Sequence, residues 1–326
     1  MIMEVNLINA SEAEKLLDRQ MESWELARNN FKALENVRTK SFDMGGFSIV
    51  AQFNPARAIS TGAKVDANSI KKRKCFLCES NLPKVQIRMP LGSDHLLLCN
   101  PYPIFRHHYT IPSRLHTDQL IMSQIDKFVE ITKMLSPFTI FYNGPRSGAS
   151  APDHAHFQAV TRGVMPIDND VIDIIKRLSG KKESHICVEG KDQHDEGIYL
   201  LKHYLRNGFI INTSDAERAS ALFKAIYKSL ETPPGEEEPM MNIFGSFIKG
   251  RWIITVVPRK QHRPWQYEAE GDDHLMSSPG AADIGGLFIT PLEKDFNKID
   301  VALLRDVYQQ VCYSDKEVEE IFVHLR

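Results

Sequence analysis

The sequence predicts an α+β protein in which antiparallel strands carry helices and one arrangement occurs twice in tandem. In the first half, apolar strands at 96–99 and 109–111 precede an amphipathic helix, and strand-like runs follow it. In the second half, a strand at 209–211 precedes a helix at 214–230 and a hairpin at 241–257. Strands, a helix and then further strands are typical of an antiparallel sheet that carries helices on one face.

Composition narrows the class of protein. The chain has 326 residues, of which 42% are hydrophobic, so it can bury a sizeable core. A net charge of −2 gives no general electrostatic reason to bind nucleic acid or an acidic membrane. No apolar run approaches the roughly 20 residues that span a bilayer, and the N-terminal stretch does not resemble a signal peptide. With only five cysteines, we expect a cytoplasmic protein with reduced thiols. We further expect a monomer or homodimer.

The N-terminal part supplies a helix, a strand and a candidate phosphate ligand. The run from Ser11 predicts a helix of roughly 20 residues or more. Residues 47–53 alternate like a strand and lead to Arg57. Arg57 is either a solvated loop residue or a phosphate ligand, since the guanidinium fork suits phosphate oxygens.

A Cys-x-x-Cys pair follows a basic run at 71–74. Cys75 and Cys78 form a good half-site for tetrahedral zinc, with a redox dithiol as the alternative. The loop-like residues after Cys78 favour a metal over a redox helix. No second pair follows at zinc-finger spacing, so we interpret the basic run as a solvated surface.

The hairpin at 96–111 leads through 112–116 into a helix capped by Thr117 or Asp118. An apolar stripe runs from Leu120 to Met134, and Pro137 follows its end. The second half ends with a loop at 233–239, a final strand at 285–290 and helices near 300–312 and 315–324.

The most informative stretch is 138–160, read FTIFYNGPRSGASAPDHAHFQAV. If its last part is a strand, His154, His156 and Gln158 share one face, because strand side chains alternate. The preceding loop contains Gly148 and Ser150, and such loops present backbone N–H groups to anions. A neutral imidazole beside a phosphate cradle suits nucleophilic attack on phosphorus. The alternative is that both histidines have a structural role. The combination of the loop with His-x-His-x-Gln makes this alternative the less favoured one.

These residues resemble the transferase branch of the histidine-triad (HIT) superfamily. That branch includes galactose-1-phosphate uridylyltransferase, diadenosine tetraphosphate phosphorylase (ATP adenylyltransferase) and GDP-L-galactose phosphorylase. NGPRSGASAPDHAHFQ at 143–158 resembles the branch's Asn-Gly…Gly-Ala-Ser…His-x-His-x-Gln signature. WIITVVPRKQHRP and SPGAADIGGLFITP resemble the C-terminal region of the diadenosine tetraphosphate phosphorylases. The chain departs from the signature at Asp153, an extra residue before the first histidine.

The resemblance implies two tandem HIT-like halves, which we place at 1–165 and 166–326. It implies that His156 attacks the α-phosphorus of a nucleotide while Gln158 hydrogen-bonds the phosphate. It also implies a structural zinc ion held by Cys75, Cys78, His116 and His154. The expected nucleotide- and phosphate-binding residues are Asn143, Arg146, Gly148, Ser150, Arg57, Asn100, Arg259 and Lys260, with Phe105 beside the nucleoside.

Three functions fit these residues. The first is a nucleotidyltransferase or phosphorylase that uses a nucleoside-diphosphate sugar or a dinucleoside polyphosphate, with phosphate or a sugar phosphate as acceptor. The second is a pyrophosphate hydrolase, which Gln158 in place of a third histidine disfavours. The third is a zinc-stabilised nucleotide-binding protein without activity.

Overall fold

The computed structural model describes residues 10–58, 67–179, 188–190 and 196–325. The fold is α+β, as predicted. The strands are β1 Arg38–Asp43, β2 Ser48–Phe53, β3 Met89–Leu91, β4 His95–Cys99, β5 His108–Pro112, β6 Phe138–Asn143, β7 His156–Thr161, β8 Val188–Gly190, β9 Gly197–Leu201, β10 Gly208–Thr213, β11 Met241–Ile248, β12 Arg251–Pro258 and β13 Leu287–Thr290. The helices are α1 Ala10–Ser23, α2 Glu25–Ala33, α3 Ala67–Lys72, α4 Ile125–Met134, α5 Pro166–Ser179, α6 Ala216–Ser229, α7 Ala281–Ile284, α8 Glu293–Lys298, α9 Val301–Val311 and α10 Asp315–His324.

Ten strands form one antiparallel sheet in the order β3-β4-β5-β7-β6-β11-β12-β10-β9-β8. The run β4-β5-β7-β6 is repeated in reverse by β11-β12-β10-β9, so the two halves meet at their equivalent strands β6 and β11. These two strands pair from Asn143 opposite Asn242 to Ile140 opposite Gly245. The internal repeat expected from the sequence is therefore present, and both copies contribute to one continuous sheet.

Helices α4 and α6 cover one face of this sheet. Phe128 and Val129 of α4 and Phe223 of α6 belong to a single apolar core with strand residues such as Ile140 and Ile254. The approach is close at Gly245, where a Cβ would lie 2.7 Å from the ring of Phe128. A larger residue at this position would push α4 away from the sheet.

The opposite face is covered mainly over the second half. A three-stranded sheet in the order β1-β2-β13 packs there together with α7 and α9. β2 comes from the first half of the chain and pairs in parallel with β13 from the second. The same face of the first half is less covered, and Thr110 and Gln158 are half-buried there. The division at 165/166 stays a prediction.

Most predicted elements are confirmed, including the cap of α6, where Asp215 accepts a hydrogen bond from the N–H of Arg218. Two of the predicted helices were wrong in their extent. The first helix is two helices, because Trp24 adopts an extended conformation between α1 and α2. The helix expected after Thr117 or Asp118 begins only at Ile125, because residues 113–120 run non-helically alongside the residues that precede β7. Within the described residues, no helix is long and apolar enough to cross a membrane.

Candidate functional site

The site lies where β6 and β7 separate. In the second half, the equivalent strands β11 and β12 are joined by a tight turn at Lys249 and Gly250, both with positive φ. In the first half, residues 144–155 form a long loop between β6 and β7. Among the described residues, the stretch 143–158 therefore contains a long connection that the equivalent strands of the second half lack.

The loop packs directly against a segment from the second half. Gly148 has a φ of +98°, and a Cβ there would lie 2.4 Å from the Cα of Gly280. Any side chain at Gly148 would therefore be strained and would also displace the neighbouring backbone. Inside the loop, the N–H of Ser147 donates to the carbonyl oxygen of Gly144.

Asn143 and Asn242 join the loop to the C-terminal region. Oδ1 of Asn143 accepts from the N–H of Ala281 at 2.7 Å and from Nδ2 of Asn242 at 3.0 Å. Nδ2 of Asn242 also donates to the carbonyl oxygen of Ser147 at 2.8 Å. Asn143, expected to bind nucleotide, thus already uses its side-chain oxygen to hold the loop.

Arg259 lies behind this network instead of facing solvent. It is 2% exposed, and its Nη1 donates to Oδ1 of Asn242 at 2.8 Å. Its remaining donors reach the carbonyl oxygens of Val311, Pro279, Gln261 and His262. The role expected from the sequence, contact with phosphate, needs donors that this arrangement already uses within the protein.

His156 opens β7 with a defined tautomer. Its Nδ1 lies 2.8 Å from the carbonyl oxygen of His154, and a carbonyl oxygen only accepts. The proton is therefore on Nδ1, and Nε2 carries the lone pair. Burial lowers the pKa of His156 to about 4. The arrangement supplies an imidazole nitrogen ready to attack an electrophile.

The backbone of His156 is held by a side chain from another segment. Oε1 of Gln119 accepts from the N–H of His156 at 2.7 Å. Nε2 of Gln119 donates to the carbonyl oxygens of His156 and Asn143 at 2.9 and 3.0 Å. The Tyr142 hydroxyl lies 2.9 Å from the carbonyl oxygen of Gln119 and 2.7 Å from Oε1 of Glu238.

Gln158 lies two residues along the same face of β7 as His156. It is opposite Thr110 of β5 and Phe141 of β6. Its Oε1 lies 2.8 Å from Nε2 of His108. Asn100, another predicted nucleotide ligand, donates from Nδ2 to Oγ1 of Thr110 at 3.1 Å and therefore borders the same face.

Four side chains from three segments converge beside the loop. The ligand atoms of Cys75, Cys78, His116 and His154 lie within 4.8 Å of one another. Nδ1 of His154 is 3.2 Å from both Sγ of Cys75 and Nδ1 of His116. A tetrahedral zinc ion would separate two nitrogen ligands by about 3.3 Å and nitrogen from sulfur by about 3.5 Å. The cluster therefore fits a four-coordinate metal ion.

The second ring nitrogen of His154 supports this assignment. Nε2 lies 2.8 Å from the carbonyl oxygen of Ser113, so Nε2 carries the proton and Nδ1 faces the cluster. Metal-binding histidines ordinarily use their outer nitrogen in this way. Because β7 begins at His156, His154 does not share the strand face of His156 and Gln158, contrary to the simple alternation.

Asp153, the extra residue of the signature, has a partner in the basic run. Its Oδ1 lies 2.6 Å from Nη2 of Arg73. The guanidinium carbon of Arg73 also lies 4.8 Å from the ring centroid of Phe76. The interpretation of 71–74 as a solvated surface was therefore wrong for Arg73, which joins the Cys-x-x-Cys segment to the loop.

The remaining predicted ligands, which are Arg57, Arg146, Ser150 and Lys260, have different surroundings. Arg57 donates from Nη1 to the carbonyl oxygen of Tyr102 at 2.6 Å, and its charge contributes to the low pKa of His108. Exposed Arg146 lies 3.5 Å from Oε1 of Glu236. Ser150 is half-buried in the loop. Lys260, the next residue after Arg259, forms an ion pair with Glu317 of α10 at 3.1 Å.

Four residues of the site had no assigned role in the sequence analysis: His108, Gln119, Glu238 and Asn242. Glu238 lies in the acidic 233–239 segment, which the sequence marked only as a loop. Its Oε2 accepts from the N–H of Ile121 at 2.8 Å, and burial raises its pKa to about 7. Phe105, predicted beside the nucleoside, packs edge-on against His108 with ring centroids 5.6 Å apart.

Comparison with known proteins supports the fold. A family model described as a domain of unknown function (DUF4922) matches residues 16–161. No curated protein matches the chain. The crystal structure of yeast Ap4A phosphorylase Apa2 aligns over 92% of this chain and 97% of its own, with a TM-score of 0.59 and 16% identity.

The chain has the fold of the yeast Ap4A phosphorylase. Two further structures of Apa2 align similarly. The complex with AMP covers 93% of this chain and 96% of its own at a TM-score of 0.57 and 15% identity. The complex with Ap4A aligns over 89% of this chain and 97% of its own, with a TM-score of 0.52 and 14% identity. The alignments run through both halves, in agreement with the continuous sheet.

Proposed function

We propose that this protein is a nucleotidyltransferase of the phosphorylase type that works through a nucleotidyl-His156 intermediate. Its substrate would be a dinucleoside polyphosphate or a nucleoside-diphosphate sugar. The observation that carries the proposal is the placement of His156, with Nδ1 bonded to the carbonyl oxygen of His154 and the lone pair on Nε2. Gln158 lies on the same strand face, and the glycine-containing loop precedes both residues.

In the first step, the Nε2 lone pair attacks the α-phosphorus of the nucleotide. A P–N bond forms, the P–O bond to the remainder of the substrate breaks, and the leaving oxygen keeps the electron pair. The positive charge on the imidazole is shared with Nδ1, whose proton stays bonded to the carbonyl oxygen of His154. The leaving group would be a nucleoside phosphate or a sugar phosphate.

In the second step, an oxygen of inorganic phosphate attacks the same phosphorus. The P–N bond breaks, its electrons return to Nε2, and a nucleoside diphosphate is released. Splitting one displacement into two makes each step easier. The amide of Gln158 can donate to the phosphoryl oxygens, but it cannot take up a proton from water as a third histidine could. This favours transfer over hydrolysis.

The loop supplies groups for the phosphoryl oxygens. Gly148 shapes the loop through its positive φ and its close packing against Gly280, and Ser150 is half-buried in the same loop. Arg146 is exposed, and its 3.5 Å contact with Glu236 is one that a phosphate can replace. We place the nucleoside towards Asn100 and Phe105, since both border the face that carries Gln158.

We also propose that zinc occupies the cluster of Cys75, Cys78, His116 and His154. A closed set of two thiolates and two imidazoles supplies a structural crosslink, with no open position for substrate. The ring of His154 is part of the cluster, and its carbonyl oxygen accepts the hydrogen bond from Nδ1 of His156. The zinc ligands would therefore help to fix the backbone that orients His156.

The experiment is incubation of the purified protein with Ap4A or ADP-glucose, with and without inorganic phosphate. With phosphate, we expect release of ADP from either substrate. Without phosphate, an α-³²P-labelled substrate should leave protein-bound label that is labile in acid and stable in base. Neither label nor ADP with any nucleotide tested would contradict the proposal. Discharge of the label by a sugar phosphate alone would indicate a uridylyltransferase-like acceptor.

A further inference from the structure

We infer that His108 is a positioning residue of this site and that it determines which way the side-chain amide of Gln158 faces. The inference rests on the proposed function, because it concerns how Gln158 meets the transferred phosphate. His108 and Gln158 lie on neighbouring strands, and Nε2 of His108 is 2.8 Å from Oε1 of Gln158.

The tautomer of His108 follows from its other neighbour. Nδ1 of His108 accepts a hydrogen bond from the backbone N–H of Ile104 at 3.1 Å. A nitrogen that accepts carries no proton, so the proton of the neutral ring is on Nε2. Nε2 therefore donates, and the atom of Gln158 that faces it must be the amide oxygen.

The surroundings keep His108 neutral and in place. Burial, together with the nearby positive charge of Arg57, lowers the pKa of His108 to about 3. Phe105 packs edge-on against the imidazole, and the ring centroid of Phe141 lies 6.2 Å away. A ring that is 1% exposed and packed in this way has little freedom to turn.

This contact determines which atom of the Gln158 amide can meet a ligand. With Oε1 held by His108, the two N–H groups on Nε2 are the part of the amide available to a ligand. Nε2 makes no hydrogen bond with any residue that the structure describes. If the amide were reversed, its oxygen would face the phosphate and repel it. His108 therefore converts an amide that could face either way into a fixed donor.

Two substitutions distinguish the donor of His108, at Nε2, from its acceptor, at Nδ1. His108→Asn retains a polar group near Nδ1 for Ile104 and lacks a donor at the Nε2 position. His108→Gln retains a donor near Nε2. We expect His108→Asn to slow labelling of His156 about 10- to 100-fold, as for the loss of a hydrogen bond to a charged group. His108→Gln should restore most of the rate.

A double-mutant cycle distinguishes this role from a structural one. In a Gln158→Ala background, His108→Asn should cause no further loss, because the group that it orients is gone. The same cycle can be measured on the affinity for AMP, whose phosphate would accept from Gln158. This second measurement remains informative if the wild-type protein forms no covalent intermediate, the result that would contradict the proposed function alone.

Several outcomes would overturn the inference. One is an equal loss from His108→Asn with and without Gln158. Another is full AMP affinity and full labelling in His108→Asn, and a third is a folded His108→Gln protein as impaired as His108→Asn. Should His108→Asn fail to fold, His108→Gln decides alone: retained binding and labelling support the inference, and their loss in a folded protein contradicts it.

Discussion

The side-chain amide of Gln119 hydrogen-bonds both main-chain polar groups of His156, at 2.7 Å to the N–H and 2.9 Å to the carbonyl oxygen. The ladder between β6 and β7 reaches Phe141 opposite Gln158, and its continuation would place Asn143 opposite His156. The strands separate at that point to enclose the loop. Gln119 also bonds the carbonyl oxygen of Asn143, so one side chain bridges the opened strands. His156 thus lies at an opening of the sheet without losing its backbone partners.

Gln119→Met should destabilise the protein and slow the labelling of His156. Methionine has a similar volume but leaves the main-chain groups of His156 and the Asn143 carbonyl without these partners. We expect a loss of about 3 kcal/mol or more in the free energy of unfolding, because three buried groups lose a partner and each costs about 1–3 kcal/mol. Urea denaturation and the rate of labelling measure the two effects.

The matched control for Gln119→Met is Ser123→Ala, which removes an exposed hydroxyl bonded to the carbonyl oxygen of Leu120. This variant should be close to wild type in both measurements. Native stability and native labelling in Gln119→Met would show that Gln119 does not hold the nucleophile.

The sequence predicts most of the central strands because short apolar runs such as those of β4, β6 and β10 are typical of strands buried on both faces. It could not place Gln119 or Glu238, because their partners lie far away in the chain. Gln119 bonds His156, and Glu238 bonds the N–H of Ile121. In the 233–239 segment, three consecutive glutamates look equivalent, yet only Glu238 is buried, at 3% exposure. Composition marks such a segment as a loop and cannot tell which carboxylate turns inward.

The direction of a side chain at the end of an element was equally hard to predict. Alternation places His154 with His156, but β7 starts two residues after His154, and the His154 ring turns to the cysteines. Arg259 directly follows β12 and was expected to contact phosphate. It is buried because the C-terminal segments supply carbonyl oxygens for its donors. Such contacts depend on packing that no local pattern contains.

Glu238 should make stability fall as the pH rises. Burial raises the pKa of its carboxyl to about 7 in the folded protein, above the ordinary value of 4.5. The folded state therefore binds more protons than the unfolded state between these values. This contribution is fully present below pH 4.5 and is lost as the pH rises through about 7. We expect Glu238→Gln to remove about 1–3 kcal/mol of this pH dependence.

Urea denaturation of both proteins between pH 5 and pH 8 measures the difference in slope. Asp168 and Asp283 also have a pKa raised to about 6, so only the difference between variant and wild type reports on Glu238. Glu237→Gln, an exposed change next to it, is the control and should leave the slope unaltered. Identical slopes in Glu238→Gln and wild type would contradict the assignment.

Cys75→Ser should reduce metal binding and stability together. We expect about one zinc ion per chain in protein purified without added metal, since the cluster supplies one four-ligand site. Loss of a thiolate should weaken zinc binding more than about 100-fold, beyond the effect of removing an outer-shell partner. Because the carbonyl oxygen of His154 holds His156, labelling should slow as well.

Elemental analysis and melting temperature test the metal prediction. Cys99→Ser is the matched control, because Cys99 is fully buried in the core and lies outside the metal cluster. It should lose stability and keep its zinc. Unchanged zinc content in Cys75→Ser would eliminate the proposed ligand set.

His156→Ala should fold and hold zinc but lose covalent labelling and turnover by about 1,000-fold or more, as for loss of a nucleophile. The imidazole that attacks phosphorus would be gone, whereas the cluster of Cys75, Cys78, His116 and His154 does not include it. His156→Gly with added imidazole should regain part of the activity, because free imidazole can enter the vacated space. His154→Ala should instead lose stability and activity together. Full labelling of His156→Ala would place the nucleophile elsewhere, and loss of labelling at native stability in His154→Ala would mean that the two histidines have exchanged roles.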